Sequence, residues 1–194
     1  LFFVEHKKNI GGRYSILSEV GMIPAYLMGL NIFRLRSDIL NFLNNKKKIF
    51  LKDSVIKLAN LLEQRKIKNI IFLNYAPELE KFLLWCQQLI AESLGKNNMG
   101  LLPIVSNMPK DNHSVMQLYL DGFKNNFFTF FYVKEKNSDR LINKNILALK
   151  NYLKNKDTNK ILYAQKKATE NVFKKKNIPF RSFEINKRDE KSLG

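Results

Sequence analysis

Sulfur and imidazole are scarce in this chain. Cys86 is its one cysteine, and His6 and His113 are its two histidines. A single thiol excludes an internal disulfide framework and suits a reducing compartment, and two separated imidazoles form no cluster with zinc-ligand spacing. Long apolar runs are missing as well. GMIPAYLMGL is too short to cross a bilayer, and LFFVEHKK has neither the apolar length nor the charge order of a signal peptide. A cytoplasmic protein without membrane contact is the expectation. Internal repeats and Pro/Gly-rich linkers are absent too, so the 194 residues, 45% of them hydrophobic, read as one domain with a real core.

Acidic residues are half as numerous as basic ones, 17 against 34, giving a net charge of +17. Such an excess ordinarily points to nucleic acid. Here the basic residues are mostly lysine, in runs such as NNKKKIF and FKKKNIP beside abundant Asn, Ile and Phe. A nucleic-acid groove favours arginine with interleaved exposed aromatics, so the charge reads as a solvated lysine surface and no nucleic-acid partner is expected. The chain opens on a strand-like run without Met and stops on EKSLG, which reads as the beginning of a helix. Both ends therefore read as cut from a longer chain.

The periodicity is that of an α/β fold. Short apolar runs at 1–5, 68–76 (KNIIFLNYA), 101–106 (LLPIVS), 127–133 (FFTFFYV) and 179–185 (PFRSFEI) predict strands. Between them, helical spacing predicts an apolar helix over 17–31 despite Pro24, a helix pair in DILNFL and SVIKLANLLEQRK with Ser54 as a cap, and a helix from Pro77 to Lys96. Further helices are predicted over roughly 112–121, in NKNILALKNYLK and in KILYAQKKATENVFKKK. Alternation of this kind predicts a parallel sheet sandwiched by helices on both faces, with ligands outside the carboxyl ends of the strands.

Several residues are candidates for chemistry. In GGRYS, Gly11 and Gly12 offer a backbone free to take positive φ and to admit a ligand closely, while Arg13 supplies a planar fork for oxyanions. An ordinary turn with a surface arginine is the plainer reading of that tripeptide. Ser15 and Ser18 read as caps of the following helix. Gln88 and Glu92, four apart, share one helix face off the stripe of Phe82, Trp85 and Leu89. They form either a solvated pair or a general base with a substrate anchor. His113, within KDNHSVMQLYLDG, falls at the predicted first turn of a helix, where it is either a polar cap or a proton carrier near neutral pH. Cys86 reads as a structural thiol, and His6 receives no role.

Taken in order, GGRYSILSEVG, WCQQLIAESLGK and KDNHSVMQLYLDG resemble three successive blocks of the glucose-6-phosphate isomerase family. The likeness is strong over about residues 9 to 133 and weaker onward through PFRSFEI to the terminal SLG. It implies a fold of paired sugar-isomerase (SIS) subdomains, of which this chain resembles the second. It implies interconversion of glucose 6-phosphate and fructose 6-phosphate in glycolysis and gluconeogenesis, without a cofactor or metal. By resemblance Glu92 matches the base that moves a proton between C2 and C1, Arg13 the stabiliser of the enediolate, and Gly12 the point of close ligand approach. His113 matches the ring-opening histidine, supplied across a homodimer interface, and Gln88 a phosphate-binding glutamine. Lys8 departs from the family, which commonly has an acidic or small polar residue there. A Ser/Thr-rich phosphate loop and a catalytic lysine have no counterpart in these 194 residues, so the resemblance implies part of a site, with normal turnover not expected of the segment alone. An isomerase for another sugar phosphate and a non-catalytic sugar-phosphate-binding SIS domain are the alternatives.

Overall fold

The computed structural model describes residues 3–135 and 158–194, and the helix expected in NKNILALKNYLK lies outside them. Two compact units are present, Leu1–Lys57 with Arg188–Gly194, and Leu58–Lys187.

In the first unit, residues 3–7 take no strand conformation and join no sheet, which corrects the expected strand over 1–5 as far as its described residues 3–5 go. Apolar content there met no neighbouring strand to pair with. A 3-10 turn at Gly12–Tyr14 leads into α1 (Glu19–Leu27), with Pro24 inside it rather than starting it. Its end is a Schellman closure: Gly29 takes φ +81, and the Gly29 and Leu30 amides donate to Tyr26 and Ala25 carbonyls at 2.9 and 3.0 Å. Next come α2 (Ile32–Arg36), capped by Asn31, and α3 (Ile39–Leu43). The helix α4 (Asn45–Gln64) runs from this unit into the second and contains Ser54 in its interior, so Ser54 is not its cap. At the carboxyl end, α9 (Glu190–Leu193) is capped by Asp189, whose carboxylate also takes the Arg34 guanidinium at 2.8 Å.

The second unit is built on a sheet of four parallel strands in the order β2-β1-β3-β4: β1 (Asn69–Asn74), β2 (Leu102–Asn107), β3 (Asn126–Val133) and β4 (Phe180–Ile185). The connections are α5 (Glu80–Leu94) between β1 and β2, α6 (Lys110–Ser114) and α7 (Met116–Asp121) between β2 and β3, and α8 (Thr158–Lys175) before β4. Every residue of β3 is buried, as its unbroken apolar run requires of a strand covered on both faces. Alternation divides the core. Ile71, Leu73, Phe128 and Phe130 pack on one face with Tyr119 of α7 and Phe173 of α8; Ile70, Phe72 and Phe131 pack on the other with Leu83 of α5. Fully burying such side chains contributes about 1.5–3 kcal/mol each. The expected helix over 112–121 is two helices instead. Val115, at φ −127, takes the backbone off the helical path, and its side chain packs against the core.

The edge strand β4 is tied to α8 by charge. Lys166 is fully buried, its Nζ at 2.8 Å from both Glu170 Oε1 and Glu184 Oε1. Glu184 also meets Lys134 at 3.1 Å. These hydrogen bonds, that from Lys166 foremost, hold the Glu184 carboxyl down at about 2 against an ordinary 4.5. A carboxyl depressed by folding stabilises the fold above its unfolded pKa and loses that contribution as pH falls. Urea midpoints measured from pH 6 to pH 2 are therefore expected to drop between about 4.5 and 2, and Glu184→Gln to flatten that part of the profile.

Candidate functional site

The GGRYS turn belongs to the first unit. Gly11 has φ −69, and neither it nor Gly12 takes positive φ, contrary to the conformational expectation. Packing does not demand Gly12 either: a Cβ built there meets nothing within 4 Å. What Gly12 contributes is open space beside the half-buried Arg13, whose guanidinium carbon stands 5.9 Å from the Tyr14 ring centroid. Ser15 Oγ donates to the Gly12 carbonyl at 2.8 Å and Ser18 Oγ to the Ser15 carbonyl at 2.7 Å. Both hydroxyls brace the turn, so neither caps α1 with its side chain. His6 bonds the Glu19 carboxylate and the Ile10 carbonyl, contacts that raise its pKa and give it a structural task. A cavity of about 350 Å³ lies beside this turn, bordered by Lys7, Tyr14, Ser18 and Arg36 among others.

In the second unit, Gln88 and Glu92 are exposed on α5 and joined, Gln88 Nε2 donating to Glu92 Oε1 at 2.8 Å. Cys86, on the same helix, is half-buried, and burial pushes its thiol up to about 11, which leaves it a poor nucleophile. The pair stands at the far end of α5. That helix starts at the carboxyl end of the sheet, where Glu80 accepts from Asn107 Nδ2 at 2.8 Å, and midway Gln87 donates to the Pro103 carbonyl near the start of β2 at 2.8 Å. Glu92 is about 18 Å along the axis from Glu80 at 1.5 Å per residue. It therefore lies towards the amino ends of the strands, not at the carboxyl ends expected for it.

His113 does follow a strand's carboxyl end. It is exposed, in the last turn of the five-residue α6 rather than the first turn of a long helix, because Val115 interrupts the path. Within this unit the structure brings Gln88 to Glu92 and keeps His113 at the opposite end of the sheet.

The strand order reverses between β1 and β3, and sheets of this kind take ligands outside the carboxyl ends at such a reversal. Here polar side chains of the chain itself crowd that edge. Asn74 and Asn107, partners in register at the ends of β1 and β2, are bonded through their side chains at 3.1 Å. Asn74 Oδ1 accepts from the Ala76 amide at 3.0 Å, and Asp111 Oδ2 from the Asn107 amide at 2.8 Å. Tyr75, almost wholly buried, donates to Thr169 Oγ1 at 2.8 Å. Burial is the chief reason its phenol is pushed up. Asn74, Asn107 and Tyr75 were not singled out in the sequence; asparagine as the last residue of two strands, with Asp four residues after the second, is the signal that marks them. Among the described residues no three His, Cys, Asp or Glu side chains gather as a metal site requires, and no helix is long and apolar enough to cross a membrane.

Four parallel strands with α7 and α8 on one face and α5 on the other make this an α/β protein, and comparison with known proteins agrees. A crystal structure of a hypothetical protein from Thermus thermophilus superposes with a TM-score of 0.80 at 24% identity, covering 96% of this chain and 46% of that one. No family model matches the sequence. Curated relatives do: the glucose-6-phosphate isomerases of Methanocaldococcus jannaschii (32% identity over 96% of this chain), Campylobacter jejuni (33% over 93%) and Mycoplasmopsis pulmonis (33% over 96%). The chain thus resembles glucose-6-phosphate isomerases along nearly its whole length. It spans 45–47% of the length of these three relatives.

Proposed function

We propose that this chain forms part of a glucose-6-phosphate isomerase, a cytoplasmic enzyme acting as a homodimer. Glu92 takes the C2 proton of open-chain glucose 6-phosphate, and the C–H electron pair becomes the C1–C2 double bond of a cis-enediol. The C1 carbonyl pair passes to O1, which takes up the proton that the O2 hydroxyl gives up. The same carboxyl returns its proton to C1 as C2 becomes the carbonyl, giving fructose 6-phosphate. Arg13 offsets the negative charge that develops on the enediolate oxygen. Gly12 leaves the room for that approach, Gln88 binds the phosphate, and His113 opens the sugar ring.

The observation that carries the reading is the separation of Glu92 from His113 along one sheet. An acid-base pair divided by the length of α5 reaches one substrate only when the two groups come from different chains, which is the arrangement the resemblance implies. The open space over Gly12 supports the placing of Arg13 near a ligand.

The test is conversion of fructose 6-phosphate by the full-length gene product, followed by NMR of the sugar phosphate. Glucose 6-phosphate is the expected product, formed with exchange of the C1 and C2 protons. Equal rates with mannose 6-phosphate would favour an isomerase of another specificity. Binding without conversion would favour a non-catalytic sugar-phosphate domain.

A further inference from the structure

Charge in the second unit is divided between the two ends of its sheet. Every segment that enters a strand is basic: RKIK (65–68) before β1, Lys96 before β2, Lys124 before β3 and KKK (174–176) before β4, each cationic residue exposed. Bonds among these segments gather them at one pole. The Lys68 amide donates to the Asn125 carbonyl and the Leu102 amide to the Lys68 carbonyl, both at 2.8 Å. Arg65 Nη1 donates to the Asn177 carbonyl at 3.3 Å, and Lys176 Nζ to Asp121 Oδ1 at 2.6 Å. At the opposite pole acids follow the strands, Glu78 and Glu80 after β1, Asp111 after β2 and Glu135 after β3, and within β4 Glu184 pairs with Lys134 and Lys166.

Helix dipoles explain why the lysines collect where they do. In a parallel sheet the helices α4, α5, α7 and α8 end at the amino pole, where a cation near the last carbonyls is favourable. Each such end offsets only about half an elementary charge. The acids on these elements at this pole are Glu63, Glu92 and Asp121, and Asp121 is taken by Lys176. A positive excess is left. We infer that this pole attracts the phosphate dianion of the substrate and so delivers it to Gln88 and Glu92, which stand at the same end of the sheet. Gln88 offers a hydrogen bond without charge, so within this unit the long-range attraction comes from the lysines around it. Arg65 alone brings a planar fork, which makes the pole a field for a small anion and not a nucleic-acid groove. The identity of the anion rests on the proposed function; the polarity of the unit does not.

The test compares three forms of the full-length gene product: wild type, an amino-pole variant carrying Lys66→Gln, Lys68→Gln and Lys174→Gln, and a control carrying Lys81→Gln, Lys160→Gln and Lys187→Gln. The control loses the same charge at the other end of the sheet. Rates with fructose 6-phosphate are measured from about 10 to about 150 mM salt, over which the screening length shrinks from about 30 to about 8 Å. At the lower salt the amino-pole variant is expected to lose about 10-fold in kcat/KM with kcat little changed, and at the higher salt most of that gap closes. The control is expected to follow wild type at both. Equal losses in the two variants would assign the effect to net charge, and an amino-pole variant indistinguishable from wild type would show no steering; either overturns the inference. A wild type that binds fructose 6-phosphate without converting it defeats the proposed function, and calorimetric titration of the same three proteins with that sugar phosphate then decides the inference by the same comparison of affinities. A wild type that neither converts nor binds it defeats both.

Discussion

A full-length gene product carrying Glu92→Gln is expected to interconvert the two hexose phosphates about 10² to 10⁴ times more slowly than wild type, with KM nearly unchanged. The substitution is nearly isosteric. It keeps an oxygen that can accept the Gln88 amide, now at 2.8 Å, so the local geometry of α5 survives. What disappears is the capacity to accept a carbon-bound proton, a loss felt only in the transition state. Substrate affinity depends instead on the groups assigned to phosphate and oxyanion, and these are untouched. Progress curves with fructose 6-phosphate measure the rate, and circular dichroism shows whether the fold is retained. Activity within a few-fold of wild type would remove Glu92 from the role of base.

Lys166→Met is expected to cost about 3 kcal/mol of folding stability in urea denaturation, although methionine fills much of the lysine's volume and its burial is favourable. Lys166 is completely buried, and two carboxylates point at its Nζ. Removing the cation strands Glu170, only 6% exposed at its side chain, with Lys167 at 3.1 Å and the Ser182 hydroxyl as remaining partners. Glu184, 25% exposed, keeps Lys134 at 3.1 Å and suffers less. This places the expected loss at the low end for a broken buried pair. Combining Lys166→Met with Glu170→Gln is expected to recover part of it, because no charge is then left buried without its main partner. A loss below about 1 kcal/mol for the single variant would mean that the carboxylates find water, as surface pairs do.

Much of the second unit was legible because its strands are continuous apolar runs. KNIIFLNYA, FFTFFYV and PFRSFEI lie within two residues of β1, β3 and β4 at either end, and Pro77 and Gly95 bracket the turn and helix ending at Leu94. LFFVE has the same local signature, yet its described residues 3–5 are not in a strand. A strand needs a neighbour, and composition does not say whether one is present. The break at Val115 escaped periodicity because the apolar spacing continues across it into α7. The candidate residues were chosen by type and spacing, which do not give their place in the fold. Spacing put Gln88 beside Glu92, and the hydrogen bond is there. It could not say which end of the sheet Glu92 would occupy, since that depends on the direction in which α5 returns. Nor did Ser15 and Ser18 reveal whether their hydroxyls point forward into α1 or back into the turn.

The length of α5 has a consequence for what variation this chain can tolerate. From Glu80, anchored at Asn107, the helix carries Glu92 a set distance down the sheet, so it works as a ruler between the two ends of the unit. Adding or deleting one residue rotates the carboxylate by about 100° around the axis, and a whole turn displaces it by about 5.4 Å. Either change moves it away from whatever meets it there. The number of residues between Glu80 and Glu92 thus fixes where along the sheet, and on which side of the helix, the carboxylate stands.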